Sequence, residues 1–261
     1  MLIDSNAQIG HWPFRSRKHN TCESLLDRMN HFGVDMSIVT NLSAVLYKNT
    51  QSANRELVEE IQTKKAFVDR LFPLAVINPI YGGWNNDFDT CVNKYKMKGI
   101  KLYPQYHGYD LHNPYCIELV KMARDKDLIV AFSSRIVDSR PSSWMDINIE
   151  WKLEDLLPIL RYVPDAKYLF QNAAQSVNLD EEGMETINNV RLIMDTSGRS
   201  LNNLGELLKT FGAGKFAFGT HSPILDYCTG LLRIEALRST EASNETKEQI
   251  RSGNIAKFIG L

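Results

Sequence analysis

Several side chains in this sequence join a chemically active group to a position at the end of a short apolar run. His221 lies in Phe218-Gly219-Thr220-His221-Ser222-Pro223, framed by a glycine and a proline that hold it on a tight turn. An imidazole so placed suits a general base that activates water or takes a substrate proton. His107, in the Gly- and Tyr-rich stretch after Tyr103, is its candidate partner acid. Asp4 and Asp195 end apolar runs and are candidates to fix an imidazole tautomer or to act as bases. Lys101 and Tyr103, two residues apart in Gly99-Ile100-Lys101-Leu102-Tyr103, fall on one face of a strand. Directed into a protein interior they would stabilise developing negative charge, or Lys101 would pair structurally with an aspartate. Arg135 is a candidate fork for a substrate carboxylate. Asn6, Gln8, Asn78 and Asn172, with Asn41 and Gln171, add neutral donors and acceptors suited to a small polar substrate. Strand-ending Asn residues also arise simply because Asn favours turns.

These residues need elements to carry them. Eight apolar runs stop at polar residues, at Ile3-Asp4, Val39-Thr40, Ile77-Asn78, Ile100-Lys101, Phe132-Ser133, Phe170-Gln171, Met194-Asp195 and Phe218-Gly219. Helical segments stand between them. The spacing predicts helices over 21–32, 54–65, 113–125, 153–162, 180–187 and 201–211, and an all-helical tail over 224–261 with a bend at Gly253-Asn254. Strands separated by such helices imply parallel pairing with right-handed crossovers. The expected fold is a single (β/α)8 TIM barrel spanning 1–261, with a helical C-terminal tail and its chemistry at the C-terminal strand ends. An open doubly wound sheet is the rival, but the first strand lacks its Gly-rich phosphate loop. The stretch 136–149 is the longest loop, and it and Tyr81-Gly82-Gly83-Trp84 are expected to shape the pocket.

Composition narrows the class. Apolar residues make up 43% of the 261 residues and charged residues 23%, with a net charge of -1. That balance supplies a sizeable core and no field that would draw the chain to nucleic acid or an anionic membrane. The four cysteines are scattered, which favours free thiols in a reducing compartment over disulfides or a Cys-rich metal site. With no signal-like start and no long apolar stretch, the expected location is the cytoplasm. Pairing of two barrels into a homodimer through outer helices is compatible with the pattern.

The first, fourth and eighth of these runs, with the closing Gly253-Asn254-Ile255-Ala256-Lys257-Phe258-Ile259-Gly260-Leu261, resemble the amidohydrolase-related (amidohydrolase 2 type) TIM-barrel hydrolases. That family includes decarboxylases and lactonases acting on small carboxylated rings. Its first-strand His-x-His pair of metal ligands corresponds here to Asn6 and Gln8, its later histidines to Ser133 and Asn172, and its eighth-strand Asp to His221. Amides are poor zinc ligands, so the resemblance implies a divergent branch without the usual metal site. The expectation is a hydrolase for a small polar, anionic substrate, using His/Asp acid–base chemistry and no cofactor. The alternatives are a non-catalytic binding protein and a metal-dependent hydrolase or decarboxylase with atypical ligands.

Overall fold

The alternation of apolar runs and helical segments closes into a ring of parallel strands. The computed structural model describes residues 1–137, 143–147, 149–173, 179–198 and 203–261. Strand β1 (Ile3–Ile9) pairs with β2 (Met36–Asn41), and β2 with β3 (Leu71–Pro73). Leu74 donates its N–H to the Val39 carbonyl and leads into β4 (Ala75–Val76), which pairs with β5 (Gly99–Leu102). β3 and β4 are thus two halves of one stave. It lies earlier than the expected Val76-Ile77-Asn78, and Asn78 instead forms a turn that caps the Ile80 N–H.

The ring continues through β6 (Ile129–Ser133), β7 (Lys167–Gln171), β8 (Arg191–Asp195) and β9 (Phe216–Ala217). It closes onto β1 through Ser5 N–H to the Phe218 carbonyl, His221 N–H to the Asn6 carbonyl and Gln8 N–H to the Ser222 carbonyl, each 2.8 Å. This is the expected (β/α)8 barrel.

Helix starts follow local chemistry. Thr21 caps α1 (Cys22–Phe32), and Gly33 ends it in the left-handed conformation. α2 (Gln51–Ile61) and the short α3 (Lys65–Arg70) follow β2. α4 (Trp84–Asp89) runs into a π-helical turn, so Trp84 packs with Phe88 in the shell between barrel and helices instead of shaping a pocket. After α5 (Pro104–His107), α6 (Pro114–Asp125) starts at Asn113-Pro114 as expected. The Asn113 side chain accepts from two N–H groups there. α7 (Leu157–Tyr162), α8 (Glu181–Asn189) and α9 (Leu204–Phe211) fill the next slots; Leu201 lies outside the described residues.

The tail is not one helix. α10 (Tyr227–Glu235), α11 (Asn244–Glu248) and α12 (Asn254–Ile259) are separate, and a π-helical turn over Gln249–Gly253 stands where a bend was expected. Of the stretch 136–149, residues 138–142 and 148 lie outside the described ones. Cys22, Cys91 and Cys116 are buried free thiols, whereas Cys228 is exposed.

The floor of the lumen is apolar: Ile3, Ile38, Leu74, Ile129, Leu169 and Ile193 meet Ile255 and Ala256 of α12. Each fully buried side chain of this size contributes about 1.5–3 kcal/mol. One irregularity decides what stands above the floor. In β1, Asp4 lies opposite Ser37 but Ala7 lies opposite Val39, so Ser5 and Asn6 together face one residue. This bulge reverses the inward–outward phase. Ile3 points into the lumen, Ala7 and Ile9 join the outer shell, and Asn6 and Gln8 turn inward.

Candidate active site at the barrel mouth

The polar strand ends form a hydrogen-bonded network whose hub is Asn6. Its Oδ1 lies 3.5 Å from Lys101 Nζ, and its Nδ2 donates to Ser197 Oγ at 3.0 Å and faces His221 Nδ1 at 3.2 Å. His221 Nε2 lies 2.6 Å from the Ile136 carbonyl, which can only accept, so Nε2 carries the proton and Nδ1 accepts from Asn6. Ser197 Oγ reaches both Asp195 oxygens at 2.8 Å, and the Ser197 and Asn172 N–H groups donate to Asp195 Oδ1. A Cβ on Gly219 would lie 2.8 Å from the Asp195 side chain, so only glycine leaves room for this carboxylate.

This geometry bears on the role expected for His221. Both ring nitrogens are engaged within the protein, and burial with nearby Lys101, Arg135 and Arg17 drives its pKa down to about 3. The imidazole is therefore neutral and held at both nitrogens. His107 does not enter the lumen. It ends α5 at the rim, with Nε2 3.3 Å from the Ala44 carbonyl and its ring 6.2 Å from that of Tyr103, and burial lowers its pKa to about 4.

Asp4 also stands apart. It follows luminal Ile3 and points the other way, toward the seam between the first and last staves. There it accepts from the Thr220 hydroxyl at 2.6 Å, the Thr220 N–H at 2.9 Å and the Asn6 N–H at 3.0 Å. Burial raises its pKa to about 6 despite those donors. Asp4 therefore fixes the seam and does not orient an imidazole.

Lys101 and Tyr103 face the lumen together as expected, with Lys101 Nζ 5.2 Å from the Tyr103 ring centroid. Both are fully buried. Burial pushes the Lys101 pKa down to about 7 against the opposing field of Asp195, and burial also raises Asp195. Lys101 is thus held near neutrality within the field of a buried carboxylate. Arg135 is buried and pairs with Glu150 at 3.1 Å, and its carbonyl accepts from Asn172 Nδ2.

Other polar atoms here have no partner. Gln8 is fully buried, yet neither its Nε2 nor its Oε1 makes a hydrogen bond among the described residues. Asn172 Oδ1 is likewise buried and unpaired, while the Thr40 and Tyr103 hydroxyls face each other. Such atoms in a native fold ordinarily meet water or a ligand.

Sequence reasoning missed Ser197, Thr40, Thr220 and Arg17. Asp195-Thr196-Ser197 carried a readable signal, since an aspartate ending a strand favours bonding the N–H two residues on. Arg17 carried none. It is half-buried, its Nε is unpaired, and a nearby cation, Arg15, further lowers its pKa. A separate cavity of about 500 Å³, lined by Arg191, Lys215, Asn254 and Phe258 among others, opens at the opposite end of the barrel from these residues.

No family model and no curated protein matches the sequence. Solved structures match its fold over essentially the whole chain. An amidohydrolase II superposes with a TM-score of 0.76 at 15% identity, covering 100% of both chains. A dihydroxybenzoic acid decarboxylase from Polaromonas sp. JS666, holding manganese and the inhibitor 2-nitroresorcinol, gives 0.74 at 13%, covering 100% of this chain and 97% of its own. A 4-oxalomesaconate hydratase from Rhodopseudomonas palustris gives 0.67 at 13%, covering 100% and 96%.

The manganese in the decarboxylase overturns the expectation that a protein of this kind needs no cofactor. Among the described residues, however, no three His, Cys, Asp or Glu side chains group to hold a metal ion, so no residue is assigned as a ligand. Nor, among them, is any helix long and apolar enough to cross a membrane. What the comparisons establish is the architecture: this chain has the (β/α)8 barrel fold found in decarboxylases, hydratases and amidohydrolases.

Proposed function

We propose that this protein is an enzyme acting on a small carboxylated substrate at the barrel mouth, with Lys101 and Asp195 as its proton-transfer pair. The observation that carries this reading is the cationic surround of the buried polar residues at the strand ends. Lys101 is fully buried, and its field, with those of Arg135 and Arg17, converges on His221. Arg17 brings an unpaired donor to that surround. A carboxylate entering there would meet a positive field with little water to screen it.

The reaction class we favour is lyase chemistry, loss of a carboxylate or addition of water, over amide hydrolysis. The decarboxylase and the hydratase with this fold support that choice. In this scheme Lys101, held near neutrality, delivers or removes the proton at the reacting carbon. Asp195 balances its charge, Tyr103 donates to developing negative charge, and Gln8 orients the substrate. Asn6, Ser197 and His221 keep Lys101 and Asp195 in place.

The test is a screen of small aromatic and aliphatic carboxylates, followed by NMR for product and by calorimetry for binding. Turnover that is abolished in Lys101→Met, with thermal unfolding retained, supports the assignment; unchanged turnover in that variant removes Lys101 from it. A second reading, binding without turnover, draws on the internal saturation of Asn6, Ser197 and His221. It predicts tight binding of a carboxylate with no product.

A further inference from the structure

We propose that Lys101 acts as a covalent nucleophile, its amine forming an imine with the oxo group of a small oxo acid held between it and the unpaired Gln8 amide. This rests on the reading of the mouth as a carboxylate site and gives Lys101 a covalent role in place of direct proton transfer at carbon. Three observations point to it.

Lys101 is buried completely, and among the described residues no carboxylate stands within ion-pair distance of its amine. Its one side-chain hydrogen bond, to neutral Asn6 Oδ1, is long at 3.5 Å. A buried ammonium without a close counter-ion is costly, which favours the neutral amine, the form with a lone pair to attack a carbonyl carbon. Its pKa of about 7 agrees.

Asp195, the carboxylate whose field reaches Lys101, is held by other donors. Ser197 Oγ lies 2.8 Å from each of its oxygens, and the N–H groups of Asn172 and Ser197 reach Oδ1 at 2.8 and 3.1 Å. Those bonds anchor it as a neighbour that tunes the amine without capturing it.

Gln8 lies two residues beyond Asn6 toward the mouth, with an unpaired donor and an unpaired acceptor. Its amide offers both kinds of hydrogen bond to an occupant. A carboxylate or carbonyl oxygen would satisfy the donor.

The step balances without a further reactant. The amine lone pair forms the C–N bond while the carbonyl π pair moves to oxygen. Both amine protons pass to that oxygen, which leaves as water, and the C=N bond remains. With a 3-oxo acid, protonation of the imine nitrogen creates an electron sink. The bond to the carboxylate breaks, its pair moves toward nitrogen, and carbon dioxide leaves. A proton then returns to carbon, and water hydrolyses the imine to release a ketone and restore the amine.

The experiment uses the full chain with pyruvate as the probe. Borohydride is added to reduce any imine, and the lysine-containing peptides are read by mass spectrometry. Lys101→Met and Lys101→Arg are treated in parallel, with thermal unfolding to verify that they fold, and benzoate binding is measured separately by calorimetry. The expected result is a reduced pyruvyl adduct on the Lys101 peptide at least tenfold above that on any other lysine, and lost in both variants. Benzoate binding with no enrichment at Lys101 overturns the imine and leaves the carboxylate site standing. Neither adduct nor benzoate binding overturns both.

Discussion

Two sides of the same polar layer behave in opposite ways. On the side built by the first, seventh and eighth staves, Asn6, Ser197, Asp195 and His221 bond to one another almost to saturation, and the Asn172 N–H of the sixth stave joins Asp195. On the side toward the second and fourth staves, Gln8 is just as deeply buried, yet both of its amide atoms lack partners among the described residues, and beside it the Thr40 and Tyr103 hydroxyls face each other. A saturated buried network fixes geometry, whereas unpaired buried groups carry a standing desolvation cost that an occupant relieves. The contrast separates the part that positions from the part that binds, and Lys101 stands where they meet.

Removing the hub should break this division most severely. Asn6→Ala strips partners from Lys101, Ser197 and His221 at once, and about 3–5 kcal/mol of stability should be lost. The urea midpoint measures this; a loss below about 1 kcal/mol would show that the positioning side is not one network. Gly219→Ala is next, at about 1–3 kcal/mol, because the added Cβ must displace the Asp195 carboxylate. That variant should lose turnover along with stability.

Acid sharpens the comparison because two buried groups respond with opposite sign. His221 titrates near 3 in the fold but near 6.5 when unfolded. Over that window the unfolded chain binds the extra proton, so stability falls as pH drops. Asp4 titrates near 6 folded and near 3.8 unfolded. Over that window the folded chain binds the extra proton, so its contribution grows as pH falls from about 6 to 4. Asp4→Asn should therefore steepen the loss of stability from pH 6 to 4, and His221→Gln should make it shallower. Parallel urea midpoints between pH 4 and 6.5 check both signs; equal slopes in the two variants would contradict the assignment.

The barrel was legible because its signals are local. Run ends, the Asn113-Pro114 helix start and the shared face of Lys101 and Tyr103 all follow from short-range periodicity. The site was less so, because its determinants are not local. The β1 bulge turns Asn6 and Gln8 inward, and no periodicity announces it. His221 is kept neutral by burial, and its tautomer is fixed by the Ile136 carbonyl, 85 residues away in sequence. Asp4 is held by Thr220 across the barrel closure, 216 residues away. Trp84 sits beside two glycines that read as a loop, yet it opens a helix and packs in the shell. Residue type named the candidates; tertiary contacts assigned their roles.

The most direct measurement is the stability of Gln8→Met, set beside its affinity for benzoate. If the Gln8 amide is unpaired in the free protein and meets the ligand, exchanging it for an apolar side chain of similar length removes a desolvation cost. Stability should then stay level or rise by about 1 kcal/mol while benzoate binding weakens at least tenfold. A loss of more than about 1 kcal/mol with benzoate binding intact would mean that Gln8 belongs to the positioning network, and the division between the two sides would not hold.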